Sequence, residues 1–325
     1  MRKVIKFSLI GVAVIIFIVL VGILYIVNFL PNIKVEELKV ETTNARIERG
    51  KYLANHVTVC MDCHSSRDWS RFSGPIMPGP LGGGGELFDQ KYGFPGSYIS
   101  KNITPYNLKD WSDGELFRVI TSGIQKTGKI MFPVMPYTYY AHLDREDVYS
   151  IIAYLRTLEP VKSEIPASKT DFPMNIIMHL IPQKADPWKL PDTSNRIEYG
   201  KYLVNAAACA ECHTPFKNGK LVDNMRFAGG REFPMSFGSV TSANITNDNE
   251  TGIGAWSRDA FILRFKAVDP QTGYIAPVVQ KIDFNSMMPW TMYAGMKTGD
   301  LAAIYDYLRT VKGIPNKVIK IKMNQ

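Results

Sequence analysis

Hydrophobic and polar positions fall into distinct regimes along the chain. Residues 7–33 carry no charged side chain, and from Leu9 to Val27 nearly every position is large and apolar. Roughly 20 such residues in a helix cross about 30 Å of hydrocarbon, so the stretch predicts a transmembrane anchor over 7–30. A cleavable signal has a shorter apolar region followed by small residues at the cut. Tyr25-Ile26-Val27-Asn28-Phe29-Leu30-Pro31 offers no such site, and no cysteine precedes Cys60 for lipid attachment. The reading is therefore an uncleaved single anchor, with a cleaved signal as its competitor. Arg2, Lys3 and Lys6 stay on the cytoplasmic side, and everything after the helix lies outside.

Beyond the anchor the apolar period changes to that of amphipathic helices. Val148, Ile151, Ile152, Leu155 and Leu158 recur at helical spacing, with Asp144 as the N-cap. Leu301, Ile304, Tyr305 and Leu308 repeat the stripe, with Gly313 and Pro315 expected to end it. Ser112 and Glu115 have the spacing of a capping box after Trp111. Strand-like alternation is scarce. The fold class expected is mainly α.

The stripes belong to a larger repetition. Residues 46–64 read RIERGKYLANHVTVCMDCH and residues 196–213 read RIEYGKYLVNAAACAECH, one residue shorter. Both copies continue with a glycine pair and an aromatic (Gly84-Gly85, Phe88; Gly229-Gly230, Phe233). Asn-Ile-Thr follows at Asn102 and Asn244, then Trp-Ser at Trp111 and Trp256. Met135-Pro136 and Met288-Pro289 come next, and Tyr-Leu-Arg-Thr closes each copy. The order predicts two tandem domains, 44–161 and 195–325, joined by a proline-rich linker, 162–194.

Charge narrows the function. The net charge is +8, but the excess sits at the ends, in Arg2, Lys3 and Lys6 and in Lys312, Lys317, Lys320 and Lys322. The two repeats are nearly neutral and show no basic stripe with interleaved aromatics, which excludes nucleic acid as a partner. The basic tail reads as a solvated end. The Gly- and Pro-rich loop from Gly79 to Gly85 lacks the Gly-Lys-Ser/Thr of a phosphate loop and reads as a plain loop.

The four cysteines carry the chemistry. Cys60-Met-Asp-Cys63-His64 and Cys209-Ala-Glu-Cys212-His213 are both C-x-x-C-H, the spacing of c-type haem attachment. On one helical turn two thiols can meet the two vinyl groups of a porphyrin, with the adjacent histidine beneath the iron. A thioredoxin-like pair needs a βαβ context, and a structural zinc site needs four ligands. Neither fits. Two haems c are expected, held by Cys60, Cys63 and His64 and by Cys209, Cys212 and His213.

The sixth iron ligand separates an electron carrier from an enzyme. Met135 and Met288 hold corresponding places, each before a proline and shortly before the last helix. They are the expected thioether ligands, giving His64/Met135 and His213/Met288 pairs; Met131, Met287 and Met292 stand next in line. His56, His142 and His179 have no counterparts in the repeat and read as surface or structural. The duplicated Asn-Ile-Thr sequons suggest a fold role rather than glycans. Trp111, Trp256 and the paired tyrosines are expected around the porphyrins.

Asn244-Ile245-Thr246, Gly252-Ile253-Gly254-Ala255-Trp256-Ser257 and Met288-Pro289-Trp290, with their first-copy counterparts, form a familiar series. The chain resembles the cytochrome c subunits of membrane-bound alcohol, aldehyde and gluconate dehydrogenases over about 46–160 and 196–311. The resemblance implies small all-helical cytochrome c domains with those axial pairs. Those subunits usually carry three haem domains and a tether at the far end of the chain; this chain has two motifs and an N-terminal helix. The expected function is electron transfer at a bacterial inner membrane, with the haem domains periplasmic. Electrons would pass from a dehydrogenase or quinol-oxidising complex to an oxidase or another cytochrome. A dihaem peroxidase with one open haem is the competing enzyme, and a haem-based sensor a weaker third reading.

Overall fold

The computed structural model describes residues 2–217, 219–279 and 282–323, the side chains of Arg2 and Lys3 excepted. It is mainly helical. The first helix, Arg2–Phe29, is a single rod. Its Val4–Phe29 portion is long and apolar enough to cross a membrane, and the apolar stretch is unburied by the rest of the protein except near its C-terminal end, where the 174–180 turn packs against it. After Pro31 the chain runs across the Asp113–Ser122 helix. There the carbonyl of Glu36 lies where a Cβ on Gly114 would be, 1.9 Å away, so only glycine allows the crossing.

Each sequence repeat then builds the same helical frame in the same order, although the hairpin of Phe216–Lys217 with Lys220–Leu221 belongs to the second repeat and the Pro105–Leu108 helix to the first. A first helix, Asn44–Tyr52 or Arg196–Ala206, crosses the last, Arg145–Arg156 or Thr298–Leu308. The crossings are close because glycine sits at both. A Cβ on Gly50 would fall 1.8 Å from the Ser150 carbonyl oxygen, and one on Gly200 1.9 Å from that of Ala303. The apolar stripes face inward as expected: Val148, Ile151, Ile152 and Leu155 are buried, as are Leu301, Ile304, Tyr305 and Leu308. The Asp144 cap and the Ser112–Glu115 capping box are formed. The last helix ends at Leu308, before Gly313, because the chain tightens through Thr310 and Val311, whose amides bond Tyr307 and Leu308.

The one-residue difference between the repeats is absorbed in a defined place. In the first copy Leu53–Val57 widens into a π-helix, and the Thr58 amide bonds the Leu53 carbonyl five residues back at 2.8 Å. In the second copy the Ala207 amide bonds Leu203 four residues back, also at 2.8 Å. The extra residue thus places His56 on the face that meets the second repeat.

One continuous apolar core runs through both repeats, from Leu53 and Ile152 to Leu203 and Leu301. The faces that meet are reciprocal. Tyr52 donates to Asp300 at 2.6 Å, and Tyr202 donates to Asp147 at 2.6 Å. The Lys297 amide donates to Tyr52 Oη and the Asp144 amide to Tyr202 Oη. Asn205 donates to the Tyr139 carbonyl at 3.0 Å. On the opposite side His56 takes that role, 3.0 Å from the Met292 carbonyl, because the π-helix moves Asn55 onto Lys51 and Tyr154.

Among the described residues, three small antiparallel sheets accompany the helices. Their strands have two to four residues, too short for alternation to register in sequence. Two of them bear on the stretch between the repeats and on the basic tail. Lys169–Thr170, inside the 162–194 stretch, pairs with Gly96–Ser97 of the first repeat. Ile321–Met323 pairs with Gly238–Val240, and Lys322 meets Glu232 at 3.3 Å. The basic tail is therefore tied down to Met323 rather than free in solvent.

Candidate functional site

Each C-x-x-C-H motif forms a five-residue helical turn, Cys60–His64 and Cys209–His213. Each turn is entered through a left-handed residue, Val59 (φ 46°) or Ala208 (φ 48°). That conformation is costly for a β-branched residue and reverses the chain sharply. Tyrosines at equivalent places hold the entry. Tyr140 Oη donates to the Thr58 carbonyl at 2.7 Å, and Tyr293 Oη to that of Ala207 at 3.0 Å.

The glycine pair holds the exit. The Gly84 amide bonds the His64 carbonyl at 2.8 Å, and the Gly229 amide bonds that of His213 at 2.8 Å. Gly84 and Gly229 have φ of 75° and 70°, and a Cβ at either would strike the backbone of Ser100–Asn102 or Ser242–Ala243. Glycine is required by conformation and by space.

That same neighbouring backbone orients each histidine. His64 Nδ1 lies 2.6 Å from the Lys101 carbonyl, and His213 Nδ1 2.8 Å from that of Ala243. A carbonyl only accepts, so each Nδ1 carries the proton and each Nε2 keeps its lone pair for a metal. Burial holds both imidazoles below their ordinary value, against the raising effect of these bonds, which favours the neutral, ligating form. Burial likewise raises the Cys60 and Cys63 thiols, and Cys209 to about 12. Protonated thiols suit poorly a zinc site, which takes thiolate. Among the described residues no three His, Cys, Asp or Glu side chains converge as a metal-binding group. The donor set fits a haem held by two thioethers and one imidazole.

The Asn-Ile-Thr segments follow the carbonyls that orient the histidines. Asn102 and Asn244 are buried, and their side chains bond the Val161 and Ile314 carbonyls at 2.7 and 2.8 Å. Each also accepts from Thr104 or Thr246. These bonds give the sequons a structural role.

Met135 and Met288 are half-buried against the core, directly before the Tyr137–Tyr140 and Trp290–Tyr293 helices. Trp111 is also half-buried against the core, whereas Trp256 is 38% exposed. His142 stacks on Trp188 at 4.9 Å and bonds the Asp186 carbonyl. His179 lies near the foot of the first helix.

Some contacts at the site were not signalled by the repeat. Ser73, in the first repeat, donates to the Met288 carbonyl at 2.7 Å and accepts from the Trp290 amide at 3.0 Å. Its own amide donates to Asn285 Oδ1 at 2.8 Å. The acid inside each motif has an arginine partner, but from different places. Asp62 pairs with buried Arg67 at 3.0 Å, and Glu211 with Arg231 at 2.6 Å. Burial pushes Asp62 up to about 6 despite Arg67.

The chain is homologous to cytochrome c subunits of dehydrogenases. It is 30% identical over 281 residues to the fructose dehydrogenase cytochrome subunit of Gluconobacter japonicus, covering 82% of this chain and 52% of that protein. It is 23% identical over 291 residues to the cytochrome c subunit of the alcohol dehydrogenase (quinone) of Gluconobacter oxydans, covering 85% and 56%. A diheme cytochrome c-type protein of Cereibacter sphaeroides is 28% identical over 201 residues, covering 58% of this chain and 63% of its own. The chain spans about half the length of the two dehydrogenase subunits. No protein-family model matches it.

Proposed function

For this homologue of dehydrogenase cytochrome subunits, we propose the role of a membrane-anchored dihaem c-type cytochrome that carries electrons and catalyses no substrate chemistry itself. The observation that carries the reading is the duplicated donor set: two C-x-x-C-H turns, each with its histidine Nδ1 bonded to a carbonyl.

Cys60 and Cys63 would hold one haem and Cys209 and Cys212 the other. His64 and His213 would each supply an imidazole nitrogen to the iron, and Met135 and Met288 a thioether sulfur. A haem so held supplies a one-electron iron centre whose potential is raised by thioether ligation. The Lys101 and Ala243 carbonyls fix the imidazole tautomers, and the glycine-pair amides fix the turns that carry them. The repeats form two tandem cytochrome domains. Their shared core keeps the two sites in one rigid relation, so electrons can pass between them without domain motion.

The Val4–Phe29 helix anchors the chain. With Arg2, Lys3 and Lys6 on the cytoplasmic side, the haem-bearing body lies in the periplasm of a bacterial inner membrane. The relatives' names point to a dehydrogenase as electron donor, with an oxidase or another cytochrome downstream. A reduced-minus-oxidised spectrum of the purified protein, repeated with cyanide and with peroxide, tests the reading. Two c-type haems that resist both reagents support a carrier. Ready cyanide binding at one haem with rapid peroxide turnover would replace it with a peroxidase.

A further inference from the structure

The stretch between the two repeats holds an uncharged apolar surface that the electron-transfer site does not use. Residues 172–183 contain no Asp, Glu, Lys or Arg. Met174–Ile177 is helical and continues as a tighter turn over Met178–Leu180. Met178 points into the protein and is buried, but Phe172 is 78% exposed, Leu180 55% and Ile177 44%. Large apolar side chains grouped on an otherwise charged surface mark a contact with something other than water.

What covers this surface follows from its place. The turn packs against the membrane-spanning helix. His179 shares a cavity of about 370 Å³ with Val27, Asn28, Phe29, Leu30, Pro31 and Asn32, the residues where that helix ends. On one side the segment is pinned to the body by the Lys169–Thr170 strand pairing. The segment therefore lies beside the end of the anchor, where hydrocarbon gives way to headgroups and where Phe29 is itself exposed. Exposed Lys34 and Lys184, which border the adjoining groove, are cations at the height of lipid phosphates.

We propose that Phe172, Ile177 and Leu180 form a second membrane contact, lying in the headgroup–acyl boundary of the periplasmic leaflet beside the anchor helix. The proposal rests on the reading of that helix as membrane-spanning. Two contacts hold the body in one orientation on the bilayer, where one helix alone would leave it free to swing. Because the segment joins the repeats, it sets the height of both haem sites above the surface.

Lipid photolabelling of the full-length protein tests it. The holoprotein is reconstituted into vesicles of phosphatidylethanolamine and phosphatidylglycerol containing a phospholipid with a diazirine high on one acyl chain. After irradiation, adducts are mapped by peptide mass spectrometry. The expected result is labelling within 4–29 and within 172–180, with none at Tyr274, which is 75% exposed elsewhere on the surface. Combined Phe172→Ser, Ile177→Ser and Leu180→Ser should abolish the second set of adducts while leaving the first set and the haem spectrum unchanged. Labelling within 4–29 with 172–180 unlabelled overturns the proposal and leaves the anchor standing. Equal labelling at Tyr274 overturns it as non-specific. Absence of label from both regions overturns the anchor reading together with this one.

Discussion

Tyr52 of the first repeat donates a 2.6 Å hydrogen bond to Asp300 of the second, and Tyr202 returns the same bond to Asp147. Position for position, the two repeats meet as an isologous pair would, within one chain. The hydroxyls are buried at the seam, and burial followed by the facing carboxylate raises both tyrosines far above their ordinary value. They remain donors at any pH the protein meets.

Removing either hydroxyl loosens the seam. Tyr52→Phe leaves the buried Asp300 carboxylate short of a donor, which costs about 1–3 kcal/mol. Tyr202→Phe should cost less, because Asp147 keeps a two-bond pair with Arg49, both at 2.8 Å. Urea unfolding of the two variants measures the order. Equal or reversed losses would contradict the role given to Arg49.

The unequal element of the seam is His56, and it makes the seam sensitive to acid. Burial lowers its pKa from 6.5, against the Met292 carbonyl and Asp269, while Lys266 and Lys51 add to the lowering. The Tyr52 ring is its aromatic neighbour at 5.9 Å. The folded state thus favours neutral imidazole. This contribution is fully present above about pH 6.5 and is lost as pH falls through the lower folded value. Between pH 7.5 and 5, wild type should lose more stability than His56→Gln. Superimposable pH profiles would refute the assignment.

The helix crossings predict a sharp contrast among glycines. Gly50→Ala and Gly200→Ala each drive a methyl into a carbonyl less than 2 Å away. Overpacking against backbone costs about 1–3 kcal/mol or more. Gly299, in the last helix, has nothing within 4 Å of its would-be Cβ, so Gly299→Ala should stabilise by up to about 1 kcal/mol. Thermal midpoints of the three variants check the signs.

The sixth ligands are tested by Met135→Ala and Met288→Ala. Each should open one haem, abolish about half of the far-red sulfur-to-iron absorbance and lower that haem's potential. Ser73→Ala removes the hydroxyl that bonds the Met288 carbonyl from the other repeat. It should perturb the second haem and leave the first unchanged. If neither methionine variant alters the band, Met131 and Met292 become the residues to replace.

Much of this was legible in the sequence. The glycine pairs and the Asn-Ile-Thr segments are marked by their repetition, although the bonds they make reach distant parts of the chain. The C-x-x-C-H spacing is a local pattern with a local cause, a helical turn. The helix stripes and the Asp144 and Ser112 caps were readable for the same reason. The one-residue mismatch between the repeats was visible, but its consequence was not. That a π-helix absorbs it, and that His56 thereby replaces Asn205's role across the seam, depends on packing between residues more than 200 positions apart. Ser73 and Asn285 lie outside the matched landmarks of the repeat, so no repeated pattern marks their bonds across it. The short strands that tie Lys169 and Ile321 to the body were too brief to leave a period.

Two haems held covalently, one per motif, would show in the intact mass of the polypeptide after acid denaturation and extraction of free haem. Two haems should be retained, falling to one in the Cys60→Ala/Cys63→Ala variant and to one in the Cys209→Ala/Cys212→Ala variant. Bare polypeptide, or zinc in place of iron in the native protein, would contradict this attachment.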